Sequence, residues 1–183
     1  MATGWEGEKV RLVPLDEERH FENCVRWVND PNVTAWLLIG DMPITRMAER
    51  EWFHKASGWS SSEAVFAIET LDGQHIGTSG LHGIDFRHGT GTTGTLIGET
   101  ALWGLGYGTD QSRVRASYAF EVLGLRRLMS SVLDGNDRSL RMQMKAGYEQ
   151  VGRIPGRYWK RGAYRDEILT CLTRERWEQV RGG

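Results

Sequence analysis

Three glycines, at positions 104, 106 and 108, alternate through the segment Leu96-Ile-Gly-Glu-Thr-Ala-Leu-Trp-Gly-Leu-Gly-Tyr-Gly-Thr109. The segment joins a run rich in β-branched residues, Thr92 to Gly98, to a stretch with helical spacing. A strand that turns into a helix in this way brings backbone N–H groups together at one point. The helix N-terminus adds its own unpaired donors and roughly half a positive charge. With no Cβ atoms in the way an anion can come close, so a pyrophosphate is the expected guest. Turning alone would also use glycines, but the spacing narrows the choice. No Gly-Lys-Ser/Thr follows, which excludes a P-loop. The pattern is G-x-G-x-G rather than G-x-G-x-x-G, and it comes late in the chain, where a dinucleotide-binding unit would more often open a domain.

Around this turn the pattern alternates between strands and helices. Val10-Arg-Leu-Val-Pro14 predicts a first strand. Phe21, Cys24, Val25 and Val28 fall at helical spacing between Asp16 and Asn29, and Thr45 is placed to cap a second helix reaching Ala56. Val65 to Glu69 and His75 to Phe86 read as a hairpin turning at Asp72-Gly73. After the glycine turn a helix runs from Ser112 to a C-terminal stop at Gly124. Arg127 to Leu133 is a buried strand and Asn136 to Ala146 a helix. Tyr148 to Val151 and Glu167 to Leu172 are the last strands, separated by a turn-rich stretch with Pro155, Gly156 and Gly162. The order β-α-α-β-β-β-α-β-α-β-β predicts an α/β (α+β) fold, a mixed sheet with helices on both faces.

The 183 residues, 39% hydrophobic and 26% charged, fit a single soluble domain spanning 1–183. A chain of this size buries about two-thirds of its unfolded surface. No apolar run approaches the ~18 residues of a membrane span. The start Met-Ala-Thr-Gly-Trp-Glu-Gly-Glu-Lys lacks the apolar core of a secretory signal, so the expected address is the cytoplasm. Cys24 and Cys171 are the only cysteines, read as buried thiols with no metal site. A net charge of −1 gives no overall pull toward nucleic acid or a membrane. Between Asp110 and Lys145, however, seven Lys/Arg face four Asp/Glu. That is either a solvated helix face or a landing site for a phosphorylated cofactor.

Trp103-Gly-Leu-Gly-Tyr-Gly108 resembles the Q/R-x-x-G-x-G/A signature of GNAT acyltransferases, with Trp103 at the Gln/Arg position. The longer string through Asp110 is similar to the RimJ/RimL-like branch of that superfamily. So are Leu123-Gly-Leu-Arg-Arg-Leu128 and Asn136-Asp-Arg-Ser-Leu-Arg-Met-Gln-Met-Lys-Ala-Gly-Tyr148, the latter resembling its N-x-x-S-I-x-x-x-x-K-x-G-F element. Trp27-Val-Asn-Asp-Pro31, Glu51-Trp-Phe53 and Leu81-His-Gly-Ile-Asp85 extend the likeness over almost the whole chain.

The resemblance implies a GNAT fold, with a mostly antiparallel sheet splayed at the cofactor site, and acetyl-CoA as co-substrate. It implies that Leu96, Ile97 and Gly98 pair through their main chain with the pantetheine arm. Donors from Trp103, Gly104, Leu105, Gly106, Tyr107, Gly108 and Thr109 would hold the pyrophosphate. Asn136 matches a pantetheine-contacting asparagine, and Ser139 lies one turn along the same helix; capping and packing are the plainer readings of these two. The implied reaction is direct transfer of an acetyl group to a primary amine of a small molecule or a protein N-terminus. The expected partners are that amine and a second copy of the chain.

Two positions depart from the family. Thr92 stands where a glutamate is common, and Gln143 where a tyrosine often serves as general acid. Ser139 is then the candidate acid, and Glu69 and Asp85 are the candidate bases, with water as the alternative proton acceptor and positioning as the main source of rate. The same departures leave open a CoA-binding sensor or interaction module without chemistry. Trp36, Trp52, Trp59 and Trp159 are expected around the acceptor, and Asp41, Glu49 or Asp166 to offer it charge.

Overall fold

The computed structural model describes residues 5–181; the first four and last two positions of the 1–183 span lie outside it. Strands β1 (Trp5–Glu6) and β2 (Val10–Pro14) lead into α1 (Glu17–Val28), whose N-cap Asp16 accepts a hydrogen bond from the Arg19 amide. Glu17 and Glu18 in the first turn suit the positive end of the helix dipole. A short helix α2 (Pro31–Thr34) follows, then α3 (Arg46–Ser57), capped by Thr45 as its sequence predicts. Strands β3 (Ala64–Thr70), β4 (His75–Asp85) and β5 (Thr90–Ile97) form a meander. Beyond them come α4 (Tyr107–Ser117), β6 (Arg127–Leu133), α5 (Asp137–Lys145), β7 (Glu149–Lys160), β8 (Ala163–Thr173) and α6 (Arg174–Val180).

All eight strands form one sheet in the order β1-β2-β3-β4-β5-β6-β8-β7. Every neighbouring pair is antiparallel except β5–β6. Helices α1 and α3 cover one face, where Phe21, Cys24 and Phe53 bury against Val13 and Ala67. Helix α4, the wider helical turn Tyr118–Val122 that continues it, and α6 cover the other, where Ala116, Phe120 and Trp177 bury against Leu81, Leu128 and Leu172. The expected mixed, mostly antiparallel sheet with helices on both faces is therefore the fold observed.

Three local readings change. Helix α4 starts at Tyr107 rather than Ser112, because Gly106 takes a left-handed φ of 93° and forms the N-cap itself. The stretch read as turn-rich is instead the two arms of a long hairpin, which turns at Arg161 and Gly162. Pro155 and Gly156 sit at a register shift between Ile154 and Tyr158, where Asp166 accepts the Gly156 amide at 2.8 Å. Helix α6, absent from the sequence reading, is fixed by its cap Thr173 and by Trp177 stacked 5.2 Å from Phe120.

The parallel pair is short. Rungs join Thr90 to Arg127, Gly91 to Leu128 and Thr92 to Met129, and none joins the strands beyond. From Thr93 onward β5 and β6 part, leaving an edge inside the sheet.

Candidate active site

A cavity of about 1120 Å³ opens where the strands part. Its walls are Thr93 to Ile97 of β5, Ser130 to Leu133 of β6, the glycine turn, α5, and the α1–α3 side of the molecule. Both lips of the gap are pinned by buried side chains. Arg115 of α4 donates from Nη1 to the Gly94 carbonyl at 2.6 Å, to Thr95 Oγ1 at 2.9 Å and to Ser79 Oγ at 3.2 Å. Across the gap, Gln143 of α5 donates to Ser130 Oγ at 2.9 Å and accepts from Thr170 Oγ1. Gln143 is thus a buried strut joining α5 to β6 and β8.

The glycine turn has the geometry of an anion cradle. Gly104 and Gly106 hold φ of 82° and 93°, a region that costs an L-residue about 1–2 kcal/mol. Gly108 has an ordinary φ, but a Cβ there would press within 3.3 Å of Met142. Trp103 is locked by an Nε1 hydrogen bond of 2.8 Å to the Ile97 carbonyl, and the Arg138 guanidinium stacks 3.7 Å from its ring centroid. Arg138, Arg141 and Lys145 line this end of the cavity and give the locally basic stretch a place to act. Burial, then the neighbouring Arg141 charge, pushes the Arg138 pKa down from its ordinary value. A closely approachable turn, a helix N-terminus, a basic wall and an unpaired strand edge together fit a phosphorylated ligand with an amide-bearing arm.

The residues singled out from sequence divide. Leu96, Ile97, Trp103, Gly104, Gly106, Gly108, Thr109, Asn136 and Ser139 all line the cavity. Leu105 and Tyr107 do not; Leu105 is exposed, and Tyr107 packs beside the Val10–Ile76–Val114 cluster. Gly98 is also away from it. Its amide already bonds to the Ile76 carbonyl at 2.9 Å, and a Cβ would lie 1.9 Å from the Trp27 ring, so this glycine serves helix packing. Asn136 caps α5, accepting the Ser139 amide at 3.2 Å, while the Ser139 hydroxyl has no hydrogen bond among the described residues.

Neither candidate base reaches the cavity. Glu69 is buried under α1, where Arg19 and His20 (Nε2, 2.9 Å) take its carboxylate. Asp85 closes the turn after β4 by accepting the His88 amide at 3.0 Å. His82 and Glu49 do reach it. The His82 ring lies over Gly80 and Gly94, where a Cβ would come within 2.3 and 3.4 Å of Nε2; burial lowers its pKa, which keeps it neutral at pH 7. Glu49 of α3 is 4% exposed, and burial pushes its carboxyl up to about 7.

The far end of the cavity is bounded by the 36–44 loop, against which the tip of the β7–β8 hairpin packs. Lys160 ties them together, donating to the Ile39 carbonyl at 2.9 Å and pairing with Asp41 at 2.8 Å. Trp36 and Trp52 line this end. Trp59 and Trp159 are exposed and do not, and Asp166 is held by Arg153.

The sequence profile of the acetyltransferase (GNAT) domain matches residues 9–149. Over 175 residues the chain is 26% identical to YdaF of Bacillus subtilis (strain 168), provisionally named a ribosomal N-acetyltransferase, covering 92% of each chain. It is 25% identical over 165 residues to spermidine N(1)-acetyltransferase of Escherichia coli (strain K12), covering 89% of this chain and 85% of that one. Spermidine N-acetyltransferase from Vibrio cholerae, solved in complex with CoA and spermine, shares the fold with a TM-score of 0.83. The match covers 92% of this chain and 98% of that one at 17% identity.

Proposed function

From the premise that the chain belongs to the acetyltransferase (GNAT) family, and so moves an acetyl group from acetyl-CoA to an amine, we infer that the gap between β5 and β6 is where thioester and amine meet. The observation that carries this is the loss of strand pairing past Thr92 in the wall of a cavity that also contains the glycine turn. Acetyl-CoA supplies an activated acyl group. Gly104, Gly106, Gly108 and Thr109 are the turn residues placed to hold its phosphates, with Arg138, Arg141 and Lys145 beside them. The β5 edge beyond Thr93 offers main-chain groups to its arm. Asn136, Ser139 and the lips pinned by Arg115 and Gln143 frame the reacting end. The N-x-x-S element from Asn136 to Ser139 supports placement in the RimJ/RimL-like branch, and one continuous sheet supports a single domain. No helix of the described residues is long and apolar enough to cross a membrane.

Acetyl-CoA should raise the melting temperature. A ligand that binds only the folded state adds roughly 2.7 kcal/mol at 100 times its Kd. Differential scanning fluorimetry checks this, and no shift at millimolar acetyl-CoA would remove the cofactor site.

Ser139 is the hydroxyl proposed to steady the departing sulfur. Ser139→Ala should lower kcat roughly ten- to a hundredfold, less than the ~10²–10⁴ of a strong acid–base group. Its KM for acetyl-CoA should move little, and steady-state kinetics with an accepted amine reads both. Unchanged kcat assigns Ser139 to packing alone.

A further inference from the structure

The cavity reaches beyond the cofactor gap into a chamber beneath α1, α3 and the 36–44 loop, lined by Val28, Val33, Leu37, Ile44 and Trp52. Within this apolar wall stands Glu49, 4% exposed. Its Oε1 is buried with no hydrogen-bond partner, and no cation pairs with it among the described residues. Burying a carboxylate without a partner is strongly unfavourable, which is why burial raises the Glu49 carboxyl, and an ammonium brought by a ligand would supply the missing partner to its ionised form. The other carboxylate of the cavity wall, Glu167, is already engaged by the Tyr158 hydroxyl at 3.5 Å and by Arg157 at 3.7 Å. The chamber therefore offers one negative charge in an apolar surround. That suits one cationic nitrogen on an apolar body, whereas a polyamine needs several separated carboxylates.

We infer that Glu49 is the acceptor-binding carboxylate, and that the acceptor is a primary amine carried on an aliphatic or aromatic body that fills the apolar chamber. This rests on the acetyltransferase reading of the same cavity. On reaction the ammonium proton passes to Glu49. The freed amine forms the C–N bond to the acetyl carbon as the C–S bond breaks, and a second N–H proton leaves with the sulfur.

The charges around Glu49 are committed elsewhere. On α3 itself Arg46 pairs with Glu22 and Arg50 with Glu17. In the roof Lys160 pairs with Asp41. From α1 Glu49 faces the Cys24 thiol, pushed up to about 12 by burial and then by this carboxylate. β3 presents apolar Val65 and Ala67 to α3, and burial lowers the pKa of His82 on β4. With the Glu49 carboxyl raised to about 7, ammonium binding should strengthen as pH rises through that value.

The test is isothermal titration of 2-phenylethylamine, 2-phenylethanol and spermidine into the full chain at pH 6 and pH 8. Wild type should bind 2-phenylethylamine about tenfold tighter at pH 8, following ionisation of one carboxylate. It should bind spermidine more weakly, and 2-phenylethanol equally at both pH values. Glu49→Gln should lose at least tenfold in affinity for the amine at pH 8 and lose the pH dependence, with 2-phenylethanol unaffected. An unchanged Kd in Glu49→Gln overturns the role of the carboxylate. Tighter binding of spermidine, or no binding of 2-phenylethylamine to wild type, overturns the substrate class. Should Glu49→Gln fail to fold, the wild-type pH dependence of amine against alcohol decides alone. Stabilisation by acetyl-CoA is scored separately, so loss of the acetyltransferase reading is distinguishable from loss of this one.

Discussion

Gly106→Val is expected to weaken acetyl-CoA binding by more than tenfold. Two effects combine at this position. Its φ of 93° is open to glycine and strained for any L-residue, most of all a β-branched one. Holding valine there costs about 1–3 kcal/mol, and relaxing the backbone instead turns the first amides of α4 away from their common focus. The branched side chain would also crowd Lys9, whose Cε lies 3.3 Å from the Cβ position. Each tenfold in Kd corresponds to about 1.4 kcal/mol, so restoring the strained turn on binding, from a backbone that has relaxed without ligand, reaches the expected loss over most of that range. Titration calorimetry with acetyl-CoA reads it, beside a melting curve that isolates the fold. A Kd within twofold of wild type would place the anion away from this turn.

Asp110→Ala should produce the largest change in stability. This buried carboxylate, in the first turns of α4, accepts the main-chain amides of Glu8, Lys9 and Val10 at 3.2, 2.7 and 3.0 Å. Two of the donors lie between β1 and β2 and the third opens β2, about a hundred residues earlier, so one side chain fastens the N-terminal strands to α4. Hydrogen bonds to a charged group contribute about 1.5–3 kcal/mol each, and they are not additive here because they share one acceptor. A total loss of about 3–5 kcal/mol, or roughly 6–20 °C in Tm, is expected. Asp110→Asn, which keeps an acceptor oxygen, should lose less. A drop below about 2 °C in Asp110→Ala would mean that strand pairing alone holds the segment.

What the sequence made legible was local. The caps Thr45 and Asn136, the Asp72-Gly73 turn and the alternating strands follow from neighbours within a few residues. The glycine turn is legible for the same reason, since strand, turn and helix are consecutive. Among the site residues, two misreadings come from contacts made across the chain. Gly98 looks like part of the cofactor strand until Trp27, from α1, is seen lying on it. Glu69 reads as a free strand carboxylate because Arg19 and His20 stand fifty residues before it. Glu49 looked no more distinctive than Asp41 or Asp166, because its isolation depends on which helix covers which side chain. The absence of a partner leaves no mark on a sequence.

The way the gap between β5 and β6 is held bears on how a ligand enters it. Arg115 grips one lip through Gly94 and Thr95, Gln143 the other through Ser130, and both reach in from the same helical face. The work of parting two strands is therefore done once, while the chain folds, and not again at each turnover. A ligand that fits a slot held open in this way would lose little affinity to rearrangement of the protein. For a ligand whose arm lies in this gap, affinity would then be partly a property of two side chains that need never touch it, and drift at either position would retune the site from behind the wall.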